Sequence, residues 1–247
     1  MNERFQREEA LLGTDAMEKL RRSRVAVVGL GGVGSWCAEA LCRAGVGTLY
    51  LIDSDAFSLS NVNRQLFAAE STVGCPKAEA AARRMHDIDP ACHAVPLVFR
   101  YEAAAREELF SLAPDFVVDA VDLVSCKVDL IRSCQERGVP IVSALGTGNK
   151  KDATLLRITD ISKTEGCPLA RVVRKELRAI GIEHLPVVYS PERPMANADS
   201  ETPPPGRRSV PGSLVWVPAT AGLLLCQYVI LSIVGDGSSA HDRTVIS

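Results

Sequence analysis

The residues with the clearest chemical potential form a glycine-rich segment near the start of the chain. It reads Gly29-Leu30-Gly31-Gly32-Val33-Gly34, which fits the pattern G-x-G-x-x-G. Glycines in this pattern let backbone N–H groups approach a phosphate at the positive end of a helix. Asp53 follows 19 residues after Gly34, a spacing at which a carboxylate accepts hydrogen bonds from ribose hydroxyls. Together these residues predict a nucleotide site and leave both ATP and NAD open.

The elements that must position these residues are visible as apolar patterns on either side of them. RVAVVGL (24–30) is short, β-branched and continuously apolar, as in a buried strand, and SWCAEALCRAGVG (35–47) has apolar residues at helical spacing. TLYLID (48–53) repeats the strand pattern and ends on Asp53. These segments predict a β-α-β unit with the glycines at its first turn.

Strand and helix patterns continue to alternate along the chain. AVPLV (94–98), DFVVDAV (115–121) and VPIVSAL (139–145) are typical of strands, and helical stretches at 76–88 and 126–138 separate them. Further on we expect a strand at 154–162, a helix at 168–181 and a short strand at 187–192. This alternation predicts an α/β fold, with a doubly wound, Rossmann-like parallel sheet and helices on both faces. With 247 residues, 47% of them hydrophobic, the chain has material for one large core.

Two stretches near the C-terminus depart from the alternation. Residues 193–212 are rich in Pro, Ser and Gly without an apolar period, which predicts a long mobile loop. The uncharged segment 213–235 is long enough to span a bilayer. Pro218, interpreted as the first helical residue, shortens this helix to about 16 residues, which favours a buried helix over membrane insertion. A polar start and scattered cysteines favour a cytoplasmic protein.

Four further motifs occur in a fixed order: D-x-D, S-N-x-x-R-Q, V-G-x-P-K and D-x-x-D. Their candidate site residues are Asp53, Asp55, Ser60, Asn61, Arg64, Gln65, Lys77 and Asp122. In these motifs the chain resembles the ubiquitin-activating-like adenylyltransferases, over nearly all of residues 1–160. The resemblance implies that ATP binds at the glycine segment and these side chains, and that a carboxylate is converted to an acyl-adenylate.

The resemblance also implies individual roles. Arg64 and Lys77 would place fixed positive charge on the triphosphate, where negative charge develops as pyrophosphate leaves. Asp122 would hold Mg²⁺. RFQR (4–7) resembles the family's N-terminal R-[FY]-x-R, whose second arginine, here Arg7, reaches the ATP of the neighbouring subunit. This match implies a homodimer with shared sites.

The sulfur-carrier activators of this superfamily hold zinc in two C-x-x-C pairs, and this chain has neither pair, so no zinc is expected. Residues 146–178, with VVYSPE and GSLVWVPATAG, resemble the zinc-free subgroup of tRNA-modifying dehydratases. That resemblance implies ATP-dependent cyclisation of threonylcarbamoyladenosine in tRNA, with a sulfur-relay protein as a possible further partner. The alternatives are activation of the C-terminus of a ubiquitin-like sulfur carrier and nicotinamide-dependent oxidoreduction.

We therefore predict one domain over 1–247, in which residues 1–150 bind the nucleotide and residues 151–247 serve substrate binding and dimer contact. A tRNA substrate needs cationic surface, and one helix face carries Arg171, Arg174, Lys175 and Arg178. Lys150, Lys151, Arg207 and Arg208 would extend it toward phosphates. The alternative for the helix is an ordinary solvated face. Cys167 is interpreted as a structural thiol, with thioester formation as the alternative.

Overall fold

The computed structural model describes residues 3–196 and 211–235. The strands in these ranges are β1 (Arg24–Val28), β2 (Thr48–Ile52), β3 (His93–Leu97), β4 (Phe116–Asp119), β5 (Ile141–Leu145), β6 (Arg157–Asp160) and β7 (Pro186–Tyr189). The helices are α1 (Gln6–Leu12), α2 (Thr14–Arg22), α3 (Gly34–Arg43), α4 (Lys77–Ile88), α5 (Arg106–Phe110), α6 (Val124–Arg137), α7 (Pro168–Ala179) and α8 (Trp216–Val234). The strands form one sheet in the order β3-β2-β1-β4-β5-β7-β6.

Helices cover both faces of this sheet, because successive strand residues point to opposite sides. In β1, Val25 and Val27 face the core shared with α3, α4 and α8, whereas Ala26 and Val28 face the core shared with α6 and α7. The predicted α/β, doubly wound fold is confirmed. The sheet is parallel as predicted except at one edge, where β6 runs antiparallel to β7.

The first strands end earlier than their apolar patterns suggested. β1 stops at Val28 because Gly29 adopts a φ of +92°, which turns the backbone out of the strand. A Cβ at Gly29 would lie 2.7 Å from Ala120 O, so the chain after β1 passes directly against the chain after β4. This close approach brings two loops together at the carboxyl edge of the sheet.

The C-terminal apolar segment forms one long helix. α8 begins at Trp216, so Pro218 is its third residue and not its first, and the helix has 19 residues. Proline fits there because the first turn of a helix has free N–H groups. α8 is long and apolar enough to cross a membrane, yet 44% of the most apolar stretch is buried within the fold. A Cβ at Gly222 would lie 2.5 Å from Val33 O, so α8 packs directly on α3.

The predicted loop at 193–212 is described only at its two ends, which have no regular secondary structure. Met195 N donates to Asn149 O at 2.7 Å. Gly212 N donates to Asn149 Oδ1 at 2.6 Å, and Asn149 N donates to Gly212 O at 2.8 Å. Asn149 therefore holds both ends. Residues 197–210, including Arg207 and Arg208, lie outside the described residues.

Candidate active site

The predicted site residues other than Arg7 gather around a crevice at the carboxyl ends of β1, β2 and β4. The chain leaves β1 toward α3 on one face of the sheet and leaves β4 toward α6 on the other. Open α/β sheets bind ligands at such a switch point, because diverging connections leave room between them. Ala120 N donates to Val28 O at 2.9 Å, which fixes the floor of the crevice.

The glycines of the segment 29–34 serve two different needs. A Cβ at Gly34 would lie 1.8 Å from Gly29 O, so this position admits only glycine if the turn is to close. A Cβ at Gly31 would meet only Gln65 Nε2 at 4.0 Å. Gly31 therefore exposes its backbone to open space at the start of α3, which is the arrangement a phosphate requires.

Asp53 shapes the glycine segment through its own carboxylate. Oδ2 accepts a hydrogen bond from Leu30 N at 2.7 Å, and Oδ1 accepts one from Asp55 N at 2.9 Å. Burial raises the pKa of Asp53 above its ordinary value, and the charge of Lys77 and the two N–H groups oppose that rise. Each carboxylate oxygen retains a further lone pair. The ribose contact of Asp53 stays a prediction, to which the structure adds this positioning role.

Lys77 is the first residue of α4, and its side chain is only 8% exposed. Its Nζ lies 3.1 Å from Asp55 Oδ2. Burial acts to raise the pKa of Asp55, but the Lys77 charge and hydrogen bond outweigh it, and the pKa of Asp55 is lowered. Asp55 therefore stays ionised and orients the Lys77 ammonium at the crevice.

Arg64 lies over the glycine segment. A Cβ at Gly32 would be 3.5 Å from Arg64 Cγ. Arg64 Nη1 donates to Ser60 O at 2.7 Å and to Asn63 Oδ1 at 2.9 Å. Trp36 Nε1 donates to Arg64 O at 3.2 Å, so α3 anchors the Arg64 backbone as well.

The other polar members of S-N-x-x-R-Q build the turn that carries Arg64. Asn61 Oδ1 accepts a hydrogen bond from Ser58 N at 3.0 Å, and Ser60 Oγ lies 3.1 Å from Ser58 Oγ. Gln65 is buried beside Gly31, and among the described residues its Oε1 has no hydrogen-bond partner. An unpaired amide oxygen at this position fits the polar groups of a nucleotide.

Asp122 lies exposed on the loop after β4. Asp119, the last residue of β4, is fully buried. Asp119 Oδ2 accepts a hydrogen bond from Lys127 Nζ at 2.7 Å, and Lys127 also donates to Ala144 O at 3.0 Å. Lys127 was missed from sequence, because a lysine in a helix is typical of a solvated face. Within the described ranges no three metal-binding side chains cluster, and the Mg²⁺ contact of Asp122 stays a prediction.

The cationic face predicted on α7 is smaller than expected. Arg171, Lys175 and Arg178 are exposed, but Arg174 turns back and donates to Thr164 O at 2.7 Å. Lys150 is buried and donates to Ser190 O at 2.6 Å. Its predicted place on the phosphate-facing surface is wrong, because the chain folds its ammonium onto a carbonyl at the end of β7.

Cys167 is buried at the start of α7, where its Sγ fills the space in which Gly146 would carry a Cβ. This packing supports its interpretation as a structural thiol.

A cavity of about 500 Å³ lies at the opposite, amino edge of the sheet, beside Ser23, Phe116 and Pro140. It is not part of the crevice, since these residues precede or begin their strands.

The residues just before Arg7 lie away from the crevice of their own chain. Phe5, two residues before it, packs beside Gly45 at the end of α3 that is remote from the glycine segment. Arg4 Nε donates to Ile88 O, at the far end of α4. A helix of the length of α3 spans about 15 Å, which exceeds the reach of an arginine side chain.

Comparisons with known proteins identify the family of the chain and agree with its fold. The model of the ThiF family matches residues 5–246. The tRNA threonylcarbamoyladenosine dehydratase of Bacillus subtilis is 39% identical over 245 residues, which cover 96% of both chains. The molybdopterin-synthase adenylyltransferase of Escherichia coli is 35% identical over 159 residues, 64% of each chain. The structure of E. coli tRNA N6-threonylcarbamoyladenosine dehydratase, TcdA, with ATP superposes with a TM-score of 0.85 at 31% identity, covering 95% of both chains.

Proposed function

The chain belongs to the ThiF family, and on that premise we propose that it is an ATP-dependent tRNA threonylcarbamoyladenosine dehydratase. The observation that carries the proposal is the extent of the match. Similarity to the B. subtilis dehydratase runs through 96% of the chain, whereas similarity to the E. coli molybdopterin-synthase adenylyltransferase covers 64%. The second half of the chain thus favours the dehydratase over the carrier-protein alternative. The ATP complex of TcdA supports ATP over NAD.

The first step of the proposed reaction is adenylation. A carboxylate oxygen of the threonyl group attacks the α-phosphorus of ATP, the bond to the β-phosphate breaks, and pyrophosphate leaves. Arg64 and Lys77 are positioned at the glycine segment to offset the negative charge that develops. One such contact is worth about 2.7–4 kcal/mol in the transition state, because the groups are oriented before the reaction. Mg²⁺ held by Asp122 would neutralise further triphosphate charge.

The second step closes a ring. A nucleophile in the same substituent attacks the acyl carbon, AMP leaves with the former carboxylate oxygen, and the proton of the nucleophile passes to solvent. The net change is loss of water, coupled to conversion of ATP to AMP and pyrophosphate. Proximity drives this step, since both groups share one substituent. It requires no enzyme thiol, which agrees with the buried position of Cys167.

We further propose a cytoplasmic homodimer. The position of Arg7 at the far end of α3 supports action on the ATP of a neighbouring subunit. Residues 1–150 would bind the nucleotide, and residues 151–247 would supply substrate and dimer contacts. The burial of Pro218, Gly222 and Leu225 supports α8 as a core helix without membrane insertion. A sulfur-relay protein would be a further partner.

An ATP–pyrophosphate exchange assay tests the function directly. Exchange should depend on tRNA that carries threonylcarbamoyladenosine, and AMP should accumulate together with the cyclised nucleoside. Unmodified tRNA is the matched control, because it binds through the same phosphates but lacks the carboxylate. Exchange driven only by a carrier protein with a free Gly-Gly terminus would establish the alternative. If neither modified tRNA nor the carrier protein supports exchange, both proposed functions are wrong.

A further inference from the structure

A half-exposed tryptophan lies at the rim of the crevice, and the adenylation chemistry does not use it. Trp216, the first residue of α8, is 49% exposed. Its Nε1 donates to Lys151 O at 2.7 Å, and this hydrogen bond fixes the orientation of the ring. A large aromatic surface that is exposed and also held in place is suited to binding a flat partner.

The surroundings of Trp216 belong to the nucleotide site. Pro218 lies about 3 Å further along the helix axis, and its Cβ would be 3.3 Å from a Cβ at Gly32. Ser213 O, just before the helix, accepts a hydrogen bond from Asn63 Nδ2 at 3.1 Å, and Asn63 also contacts Arg64. The first turn of α8 thus lies beside the glycine segment through Pro218, and the indole of Trp216 borders the loop of Lys151.

The chemistry of the proposed substrate indicates that a nucleobase binds at the exposed face of Trp216. The reacting carboxylate is attached to a nucleobase, so the base must leave its stack for that carboxylate to enter the crevice. Proteins hold unstacked RNA bases on aromatic faces and attract the adjoining phosphates with cations. Trp216 supplies the aromatic face and the exposed Lys151 supplies the cation. Leu214 and Val215, which are 38% and 40% exposed, extend the apolar surface.

We propose that Trp216 is the stacking platform for the base of the modified adenosine, and that it holds the base at the crevice while its substituent is adenylated. The inference rests on the proposed function. A second copy of the chain fits less well, because a charged lysine and a backbone hydrogen bond border the indole. Dimer contact is therefore an outcome that the test must separate.

Trp216→Leu and Trp216→Phe form a matched pair. Both lose the hydrogen bond to Lys151 O, but only phenylalanine keeps an aromatic face. With modified tRNA, we expect Trp216→Leu to raise the KM for tRNA about tenfold or more and to leave the KM for ATP within about twofold. Trp216→Phe should keep most of the wild-type KM. Equal losses in both variants would assign Trp216 to loop structure and overturn the inference.

Fluorescence provides a second readout. The chain has two tryptophans, and Trp36 is partly buried against Arg64 O. Binding of a modified anticodon stem-loop should quench wild-type emission, and the quench should disappear in Trp216→Phe. If the variants turn over tRNA as the wild type does, with the same KM and the same quench, the stacking role of Trp216 is wrong. The proposed dehydratase function would still stand. A wild-type enzyme inactive on tRNA would overturn both, and dissociation of the Trp216→Leu dimer would assign the indole to a subunit interface.

Discussion

Individual side chains in the crevice are held by polar groups that are themselves fixed. Asp53 binds two backbone N–H groups and Asp55 pairs with Lys77, so neither carboxylate moves freely. Lys77 is almost buried, and a lysine in that position has lost most of its hydration. A charge prepared in this way stabilises a transition state more than an exposed charge does, because little reorganisation is needed during the reaction.

Replacement of Lys77 by methionine should reduce ATP–pyrophosphate exchange by about 100-fold or more. Methionine keeps the stem of the side chain, and Asp55, whose side chain is 58% exposed, can be solvated without its partner. The thermal midpoint should therefore change little. Arg64→Ala should act in the same way on exchange.

Arg83→Met is the control for this prediction. Arg83 lies on the same helix with its side chain 59% exposed, paired to Glu79 at 3.9 Å. Exchange in Arg83→Met should match that of the wild type. Normal exchange in Lys77→Met or in Arg64→Ala would withdraw that residue from the triphosphate site.

At the scale of elements, the loop between β4 and α6 depends on a buried ion pair. Lys127 from α6 reaches back to Asp119 at the end of β4, and both side chains have no exposed surface. Lys127 also binds Ala144 O at the end of β5. The pair thus joins two strands to one helix immediately before Asp122. We infer that it positions the loop that carries the predicted magnesium ligand.

Lys127→Met should lower the free energy of unfolding by about 3–5 kcal/mol, because Asp119 would remain buried without a counter-charge. The double variant Asp119→Asn, Lys127→Met removes both charges and should recover much of that loss. If the pair positions the Asp122 loop, exchange should stay low in the double variant at limiting Mg²⁺. Full exchange in the stable double variant would mean that the pair serves stability alone.

The helix α7 presents three cations to solvent, and these are the residues to test for tRNA contact. Changing Arg171, Lys175 and Arg178 to glutamine should raise the KM for tRNA and flatten its salt dependence. Each lost phosphate contact lowers the slope of the log–log plot by about 0.7–0.9. ATP affinity should be unchanged, since the glycine segment lies elsewhere.

Two controls separate charge position from charge number. Arg174→Gln removes an arginine that binds Thr164 O and Ile161 O, so it should affect stability more than the salt slope. Arg21→Gln with Arg22→Gln removes exposed charge from α2. If the α7 variant keeps the wild-type slope, the face is an ordinary solvated surface.

For the whole molecule, the decisive question is where Arg7 acts. Phe5, two residues before Arg7, packs at the end of α3 that is remote from the glycine segment, and we therefore predict that Arg7 acts at the ATP of a second subunit. In the proposed homodimer, Arg7→Ala and Lys77→Met should each be inactive by itself. Equal mixing should make about half of the dimers mixed, each with one competent site, so about a quarter of wild-type activity should return.

Subunit exchange is verified independently, by mass analysis of one labelled and one unlabelled subunit. If Arg7 and Lys77 form a site only across the interface, activity cannot return unless the subunits exchange. Exchange without recovery would mean that Arg7 acts in its own chain or not at all. Two Arg7→Ala preparations, mixed in the same way, give the background.

Local patterns in the sequence determined most of the fold. The glycine segment, Asp53 and the first strands were predicted because their periods and spacing are local properties of the chain. The alternation of strands and helices predicted the layered architecture. The reversed edge strand β6 was not predicted, because apolar patterning gives the position of a strand and not its direction. The start of α8 was misplaced by two residues, since proline is tolerated throughout a first helical turn.

Tertiary structure alone decided which charges are available for chemistry. Lys150, Arg174 and Lys127 look like solvated cations in the sequence, yet each binds a carbonyl or carboxylate outside its own helix or loop. Trp216 is separated from Gly32 by more than 180 residues of sequence, and only the packing of α8 on α3 brings the start of α8 to the glycine segment. Long-range contacts set burial and partnership, and the exposure of a polar side chain depends on neighbours that sequence spacing does not reveal.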